Sequence, residues 1–227
     1  MRRIHLVAAL FLPLAACSTV GYAVPGELST AAPLRVSGRQ GVLLNQRLSF
    51  GPYATGQVSR SATRGRDQEE EFATEHGEYR QRYSFSLARE GAKVADVACD
   101  AEGSGAQTLN VTWRSKRVLQ CRVTMADGSL RMVQLESSRD RPLAGRLSGN
   151  EGWAITGLDR VTGGARATGT TGYSIARDNG TPVAAVDVSN DGAVYMPGQG
   201  DDTIAAVAAA LLLYQDPLQA SERFRDP

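Results

Sequence analysis

The side chains able to do chemistry are few and widely spaced along this chain. There are three cysteines, Cys17, Cys99 and Cys121, and two histidines, His5 and His76. A hydrolase triad needs a histidine fixed beside a nucleophile and an orienting acid. His76 lies in a mixed-charge run that supplies neither. Gly172-Tyr173-Ser174-Ile175-Ala176 departs from the nucleophile elbow G-x-S-x-G at its last position, and no strand-to-helix turn follows it. Asp187-Val188-Ser189-Asn190-Asp191-Gly192 opens like a calcium loop, but the position that needs a bidentate glutamate is Gly198. A hairpin turn, with Asn-Asp-Gly accepting positive φ, accounts for it more simply. Glu69-Glu70-Glu71, and Asp100 with Glu102, are able to do acid–base work only if the fold brings them into a cleft. Asp201-Asp202 reads as a helix cap before a cation site. Trp113, Trp153, Tyr173 and Tyr195 suit an apolar pocket, although cores use aromatics for packing more often.

Cys17 stands apart because of what precedes it. Arg2 and Arg3 start the chain, residues 4–12 are mostly apolar, Pro13 interrupts, and Leu14-Ala15-Ala16 leads into the cysteine. A basic start, an apolar run and small residues before a boundary make an export signal. The run falls short of the roughly 20 residues of a permanent span. Ile4-His5-Leu6 does not complete a twin-arginine motif, so the arginines are a plain basic start. An ordinary secretory signal with a chance cysteine remains the alternative.

Leu14-Ala15-Ala16-Cys17 resembles the lipobox of bacterial lipoproteins. The resemblance implies cleavage before Cys17 and acylation of Cys17, typically with three chains. Two or more chains anchor stably, at about 0.8 kcal/mol per buried methylene. It also implies that Ser18, where the inner-membrane retention signal has aspartate, sends the protein to the outer membrane, facing the periplasm.

Without the signal, residues 17–227 make one domain's worth of chain. The formal net charge of the whole chain is +1. No basic face or stripe is visible, so a nucleic-acid partner is not expected. Lys93 and Lys116 are the only lysines; a GC-rich genome explains the arginine preference. In an exported protein, Cys99 and Cys121 read as a disulfide, with two buried free thiols as the alternative. With Cys17 acylated and this pair bridged, His76 alone remains, so neither a metal nor another cofactor is expected.

The elements that must position these residues are mostly strands. Residues 83–87 and 93–98 alternate with period two. Residues 108–113 and 118–125 follow, separated from 93–98 by the turn-rich stretch 100–107. Asp127-Gly128 is a strong hairpin signal joining 118–125 to 130–135. Further short strands are expected at 42–44, 46–50, 146–148, 153–155, 172–176, 183–188 and 193–196. Residues 60–82 carry nearly cancelling charges and read as a solvated loop or an exposed helix. Residues 203–214 are apolar around nearly the whole circumference of a helix, which marks them as buried. At about 18 Å that helix is too short for a roughly 30 Å hydrocarbon core.

These elements predict a mainly β protein: an antiparallel sandwich or barrel with one buried apolar C-terminal helix. The boundaries are a signal peptide at 1–16, a flexible tether at 17–33, a single β-rich domain at 34–216 and a tail at 217–227. The order, strands first and one buried helix last, resembles the tubby-like and scramblase-like barrels. That resemblance implies a barrel wrapped around the helix. A helix on the open face of a sheet explains the same residues. Those families are associated with membrane lipids, but fold alone does not carry function across.

The expected function is a non-enzymatic binding or scaffold module of the bacterial envelope, with the membrane as one partner and an envelope protein or lipid as another. A carrier of lipid or another apolar ligand is one alternative. An envelope hydrolase using carboxylates or a serine is the other.

Overall fold

Alternation of inward apolar and outward polar residues organises the chain. In the computed structural model, which describes residues 22–39, 46–69, 74–108, 111–138, 141–149, 152–167, 169–198 and 200–215, fourteen strands form one sheet. They are β1 (Leu34–Ser37), β2 (Ser49–Phe50), β3 (Tyr53–Thr55), β4 (Ser59–Arg60), β5 (Arg64–Glu69), β6 (Thr74–Arg89) and β7 (Ala92–Thr108). Then come β8 (Val111–Met125), β9 (Leu130–Ser138), β10 (Ala144–Ser148), β11 (Trp153–Leu158), β12 (Gly172–Arg177), β13 (Pro182–Asp187) and β14 (Ala193–Tyr195). A single α-helix, α1 (Asp202–Leu213), follows.

From β6 to β14 each strand pairs antiparallel with the next. β14 then pairs with β1, β1 with β2, β2 with β3, and β3 returns to β6 through Tyr53↔Arg89 and Thr55↔Leu87. The sheet is therefore a closed, 12-strand antiparallel barrel. β4 and β5 lie outside the ring and continue along the free edge of β6.

Twelve strands about 4.8 Å apart and tilted about 40° make a ring roughly 24 Å across. Eight strands leave just enough room for side chains, so this wider lumen needs more filling. α1 supplies it. Every residue from Ile204 to Leu213 is buried, and Ala205, Ala206, Ala208, Ala209 and Ala210 keep the helix narrow. Larger barrel side chains, among them Phe50, Tyr53, Tyr83, Leu119, Leu135, Ile155 and Ile175, close in around it.

A buried helix must still satisfy the backbone groups at its two ends, and the barrel rims do this. At the start, the Asp201 carboxylate accepts from the backbone N–H of Thr203 (2.7 Å) and Ile204 (3.1 Å). Asp202 in the first turn accepts from the Tyr53 hydroxyl at 2.9 Å and faces the Arg89 guanidinium at 3.5 Å. Negative charge is favourable at this end. At the other end, the carbonyls of Ala210, Leu212 and Leu213 accept from Tyr83 Oη (2.8 Å), Arg39 Nε (3.1 Å) and Arg60 Nη2 (2.7 Å). Arg60 also donates to Gln81 Oε1 at 2.8 Å and stacks 5.0 Å from the centre of the Tyr83 ring.

Several sequence expectations change. Within 60–82, expected as a loop or helix, the described residues are mostly strand: the end of β4, all of β5 and the first half of β6. β5 and the first half of β6 join β7 and β8 in a ribbon that continues beyond the barrel. The stretch 100–107, expected to turn, is the second half of β7, and 108–113 and 118–125 are not separate strands: Val111–Met125 is continuous as β8. The pattern is obscured because one ribbon face carries glycine where a strand normally shows an apolar residue. A Cβ at Gly65 or at Gly77 would come within 2.4 Å of the Tyr79 ring, which lies across both positions. The opposite face holds a cross-strand ion network. Arg80 Nε and Arg82 Nε meet the Asp100 carboxylate at 2.7 and 3.2 Å, and Arg80 lies 3.4 Å from Glu102. The strand expected at 42–44 and the tail at 217–227 lie outside the described residues, and of 46–50 only Ser49–Phe50 is strand.

Part of the segment expected as a flexible tether, 17–33, is packed on the barrel. The chain is already packed at Tyr22, which bridges to Val161 and is 4% exposed; Leu28 is 1% exposed. Together with Val24, these residues form a strap on the outside of the barrel against Leu158, Ala185 and Tyr195. Tyr22 donates to the Tyr173 carbonyl at 3.2 Å, and its ring occupies the space that a Cβ on Gly172 would need (2.4 Å). The sequence hides this, because aromatic and aliphatic residues among Gly, Pro and Ala give no periodic signal.

Candidate functional site

Cys99 and Cys121 sit directly opposite each other on β7 and β8, and they form a disulfide with a Cα separation of 4.1 Å. Both point into the core, at 4% and 1% exposure. The bond is a structural staple, out of reach of a partner thiol. Cys17, the expected lipidation site, lies outside the described residues.

The remaining candidates do not converge. Ser174 is in the middle of β12, opposite Thr156 and Ala185, so no nucleophile elbow exists there. His76 is a strand residue of β6 opposite Gln68 and Ala106. The Asp187 carboxylate is occupied by its own turn, accepting from the Ser189 backbone N–H at 2.8 Å and from the Ser189 hydroxyl. Asn190 (φ 46°) and Gly192 (φ 91°) take the left-handed conformations that the hairpin needs. Asp201 and Asp202 serve the start of α1. Asp100 and Glu102 are close, but hydrogen bonds from Arg80 hold the Asp100 carboxyl below the usual carboxylate range. A group so stabilised as the anion is a poor general acid at neutral pH. Of the Glu69-Glu70-Glu71 run, Glu69 ends β5 and the other two lie outside the described residues. Trp153 and Tyr173 are core residues, Tyr195 packs under the strap, and Trp113 is a strand residue of β8. Among the described residues, no group of three or more His, Cys, Asp or Glu side chains is placed to hold a metal.

The candidate binding surface is on the outer wall of β4, β6, β7 and β8. Their outward residues are short: Ser59, Ser84, Ser86, Ala98 and Thr124, with Asp96 and Arg122 beside them. They leave a shallow groove of about 390 Å³, bordered by Gln57. The register makes it. Ser59 pairs with Ser84, Ser84 with Ala98 and Ala98 with Arg122, while Ser86 pairs with Asp96 and Asp96 with Thr124. A Cβ on Gly56, at the border, would stand 2.6 Å from the Ser86 hydroxyl and would make that side chain rotate. Lys93 Nζ lies 2.8 Å from Asp96 Oδ2 and balances that charge. The groove offers hydroxyls, an amide, a carboxylate and a guanidinium. It is suited to holding polar groups of a partner. The outward positions are readable in the alternating sequence, but their adjacency depends on a register that only the fold supplies.

Among the described residues the outward side chains of the wall are mainly polar or small. Among the described residues, Leu130, 49% exposed, is the one large hydrophobic side chain left open. A membrane-spanning barrel needs an outward apolar band and carries a polar interior; the described strands have the reverse. No helix among the described residues is long and apolar enough to cross a membrane.

Comparison with protein-family models, with curated proteins and with solved structures finds no match to this chain.

Proposed function

We propose that this protein is a non-enzymatic binding or scaffold module of the bacterial envelope, held at the membrane by acyl groups on Cys17, that engages its partner with the outer barrel wall. One observation carries the choice of binding surface: the lumen is filled by α1, and both helix ends are tied to the rims by named hydrogen bonds. A carrier of an apolar ligand would need that volume, and releasing it would break the contacts of Arg39, Arg60, Tyr53 and Tyr83 together. The hydrolase alternative lacks a convergent constellation among the described residues. The resemblance of the element order to tubby-like and scramblase-like barrels supports the architecture; its association with lipids adds nothing about this groove.

The anchor is supported by Leu14-Ala15-Ala16-Cys17. Membrane fractionation with Cys17→Ala tests it. The expected outcome is loss of processing and of membrane attachment, and normal processing with retained attachment would refute it. The binding surface is tested with a photo-crosslinking residue at Thr124 or Ser84 in cells. A discrete crosslinked protein, absent when the probe is moved to the buried position Val123, is expected. Native mass spectrometry showing a stoichiometric apolar ligand inside the intact barrel would favour the carrier.

A further inference from the structure

We infer that the wall carrying the N-terminal strap, β11 to β14 with the hairpin around Gly163 and Gly164, faces the lipid surface, and that the groove on β6 to β8 is thereby presented away from it. The inference rests on the proposed acylation of Cys17. Cys17 precedes Tyr22 by five residues, and a fully extended chain spans at most about 3.6 Å per residue, giving a reach of about 18 Å. Tyr22 is no longer free at the end of that reach. Its ring is seated over Gly172, its hydroxyl donates to the Tyr173 carbonyl, and its own carbonyl accepts from Thr162 Oγ1 at 3.5 Å. Leu28, 1% exposed, completes the clamp farther along.

The ring order then fixes what lies opposite. β13, under the strap, and β7, at the centre of the groove, stand half-way round the closed ring from one another. The ring is roughly 24 Å across at the backbone. A leash of about 18 Å starting on one wall is too short to let the opposite wall rest on the same bilayer. A long tether, as expected from the sequence alone, would have left the barrel free to tumble. The docked strap removes that freedom and turns a membrane anchor into an orienting device. The groove's partner is then a molecule in the aqueous space beyond the lipid layer.

The test uses the intact lipidated protein in phosphatidylethanolamine–phosphatidylglycerol vesicles containing a headgroup spin-labelled phospholipid. A thiol-reactive fluorophore is placed at Ala165→Cys, in the strap-side hairpin, or at Asp96→Cys, in the groove. At least a twofold stronger quenching at 165 than at 96 is expected. Inserting twenty Gly/Ser residues after Ser18 should bring the two signals together. Equal or reversed quenching in protein that mass spectrometry shows to be acylated would overturn the inference and leave the lipoprotein reading standing. Absence of acylation on Cys17 would overturn both. A difference that survives the insertion would also overturn the role given to the short leash.

Discussion

Replacing Arg60 with alanine should destabilise the barrel by about 3 kcal/mol, an effect large for one side chain that touches no ligand. The guanidinium makes two hydrogen bonds, to the Leu213 carbonyl at 2.7 Å and to Gln81 Oε1 at 2.8 Å, and stacks on Tyr83 at 5.0 Å. Charge-assisted hydrogen bonds contribute about 1.5–3 kcal/mol each, and cation–π contact about 1 kcal/mol. A cation at a partly buried helix C-terminus adds up to about 2 kcal/mol. Against this stands the cost of desolvating the guanidinium, whose burial is strong enough to lower its pKa. The hydrogen-bond values are already net of typical desolvation and overlap with the helix-terminus term, so the low end for two such bonds, about 3 kcal/mol, is the expected loss. Arg39→Ala should cost less, because its second acceptor, the Asn190 carbonyl, belongs to an exposed contact. Arg60→Lys should fall between wild type and alanine, since an ammonium does not span both acceptors with the geometry of a planar fork. Urea unfolding followed by far-UV circular dichroism reads all three, and for a domain of this size about 3 kcal/mol corresponds to roughly 6–12 °C in Tm. An Arg60→Ala loss below about 0.5 kcal/mol would refute the claim that the rim arginines hold α1 in place.

Other outcomes follow from the same structure. The paired change Cys99→Ala and Cys121→Ala should cost about 3 kcal/mol on the chain-entropy model for a sequence separation of 22; unchanged stability in urea would contradict it. Asp100, held low by Arg80 and Arg82, contributes stability that is fully present above its unfolded pKa of about 3.9 and lost as pH falls through its lower folded value. Asp100→Asn should therefore flatten the acid limb of the stability profile below about pH 4, with an effect that shrinks in high salt. Tyr53 is pushed up to about 12 by burial and by its bond to Asp202, and burial raises Tyr22 and Tyr83 as well. These three tyrosines should stay silent at 295 nm at pH 10, where they ionise in the unfolded chain, and the stability they contribute should decline as pH rises above 10 toward their folded values. Leu28→Ala should cost about 2–5 kcal/mol and loosen the strap, measured as faster proteolysis in the N-terminal segment; protection equal to wild type would mean that the strap is not held by that contact.

Much of the wall was legible because a half-buried strand writes its own pattern. Tyr83-Ser84-Phe85-Ser86-Leu87 alternates, and its aromatic and aliphatic members do face the core. Asp127-Gly128 marks a true hairpin, with Gly128 at φ 81°. The buried helix was legible for a different reason: a segment apolar on every side has no stable place in water. The ribbon was not legible, because Gly65, Gly77, Gly103 and Gly105 look like turn residues until Tyr79 is seen lying across two of them.

The sequence alone pointed to antiparallel strands with one buried apolar helix, and to Cys99 and Cys121 as a disulfide, while leaving a sandwich and a pair of buried thiols open. Those properties depend on local periodicity and composition, which any stretch carries with it. Tertiary structure decided that the sheet closes, since the pairing of Tyr53–Thr55 with Leu87–Arg89 depends on the summed twist of all the strands between them. It also decided that Tyr22 and Leu28 belong to the barrel, and that a row of unremarkable serines lies beside Asp96 and Arg122. Adjacency between residues far apart in the chain is a property of register and closure, and neither is written at any single position.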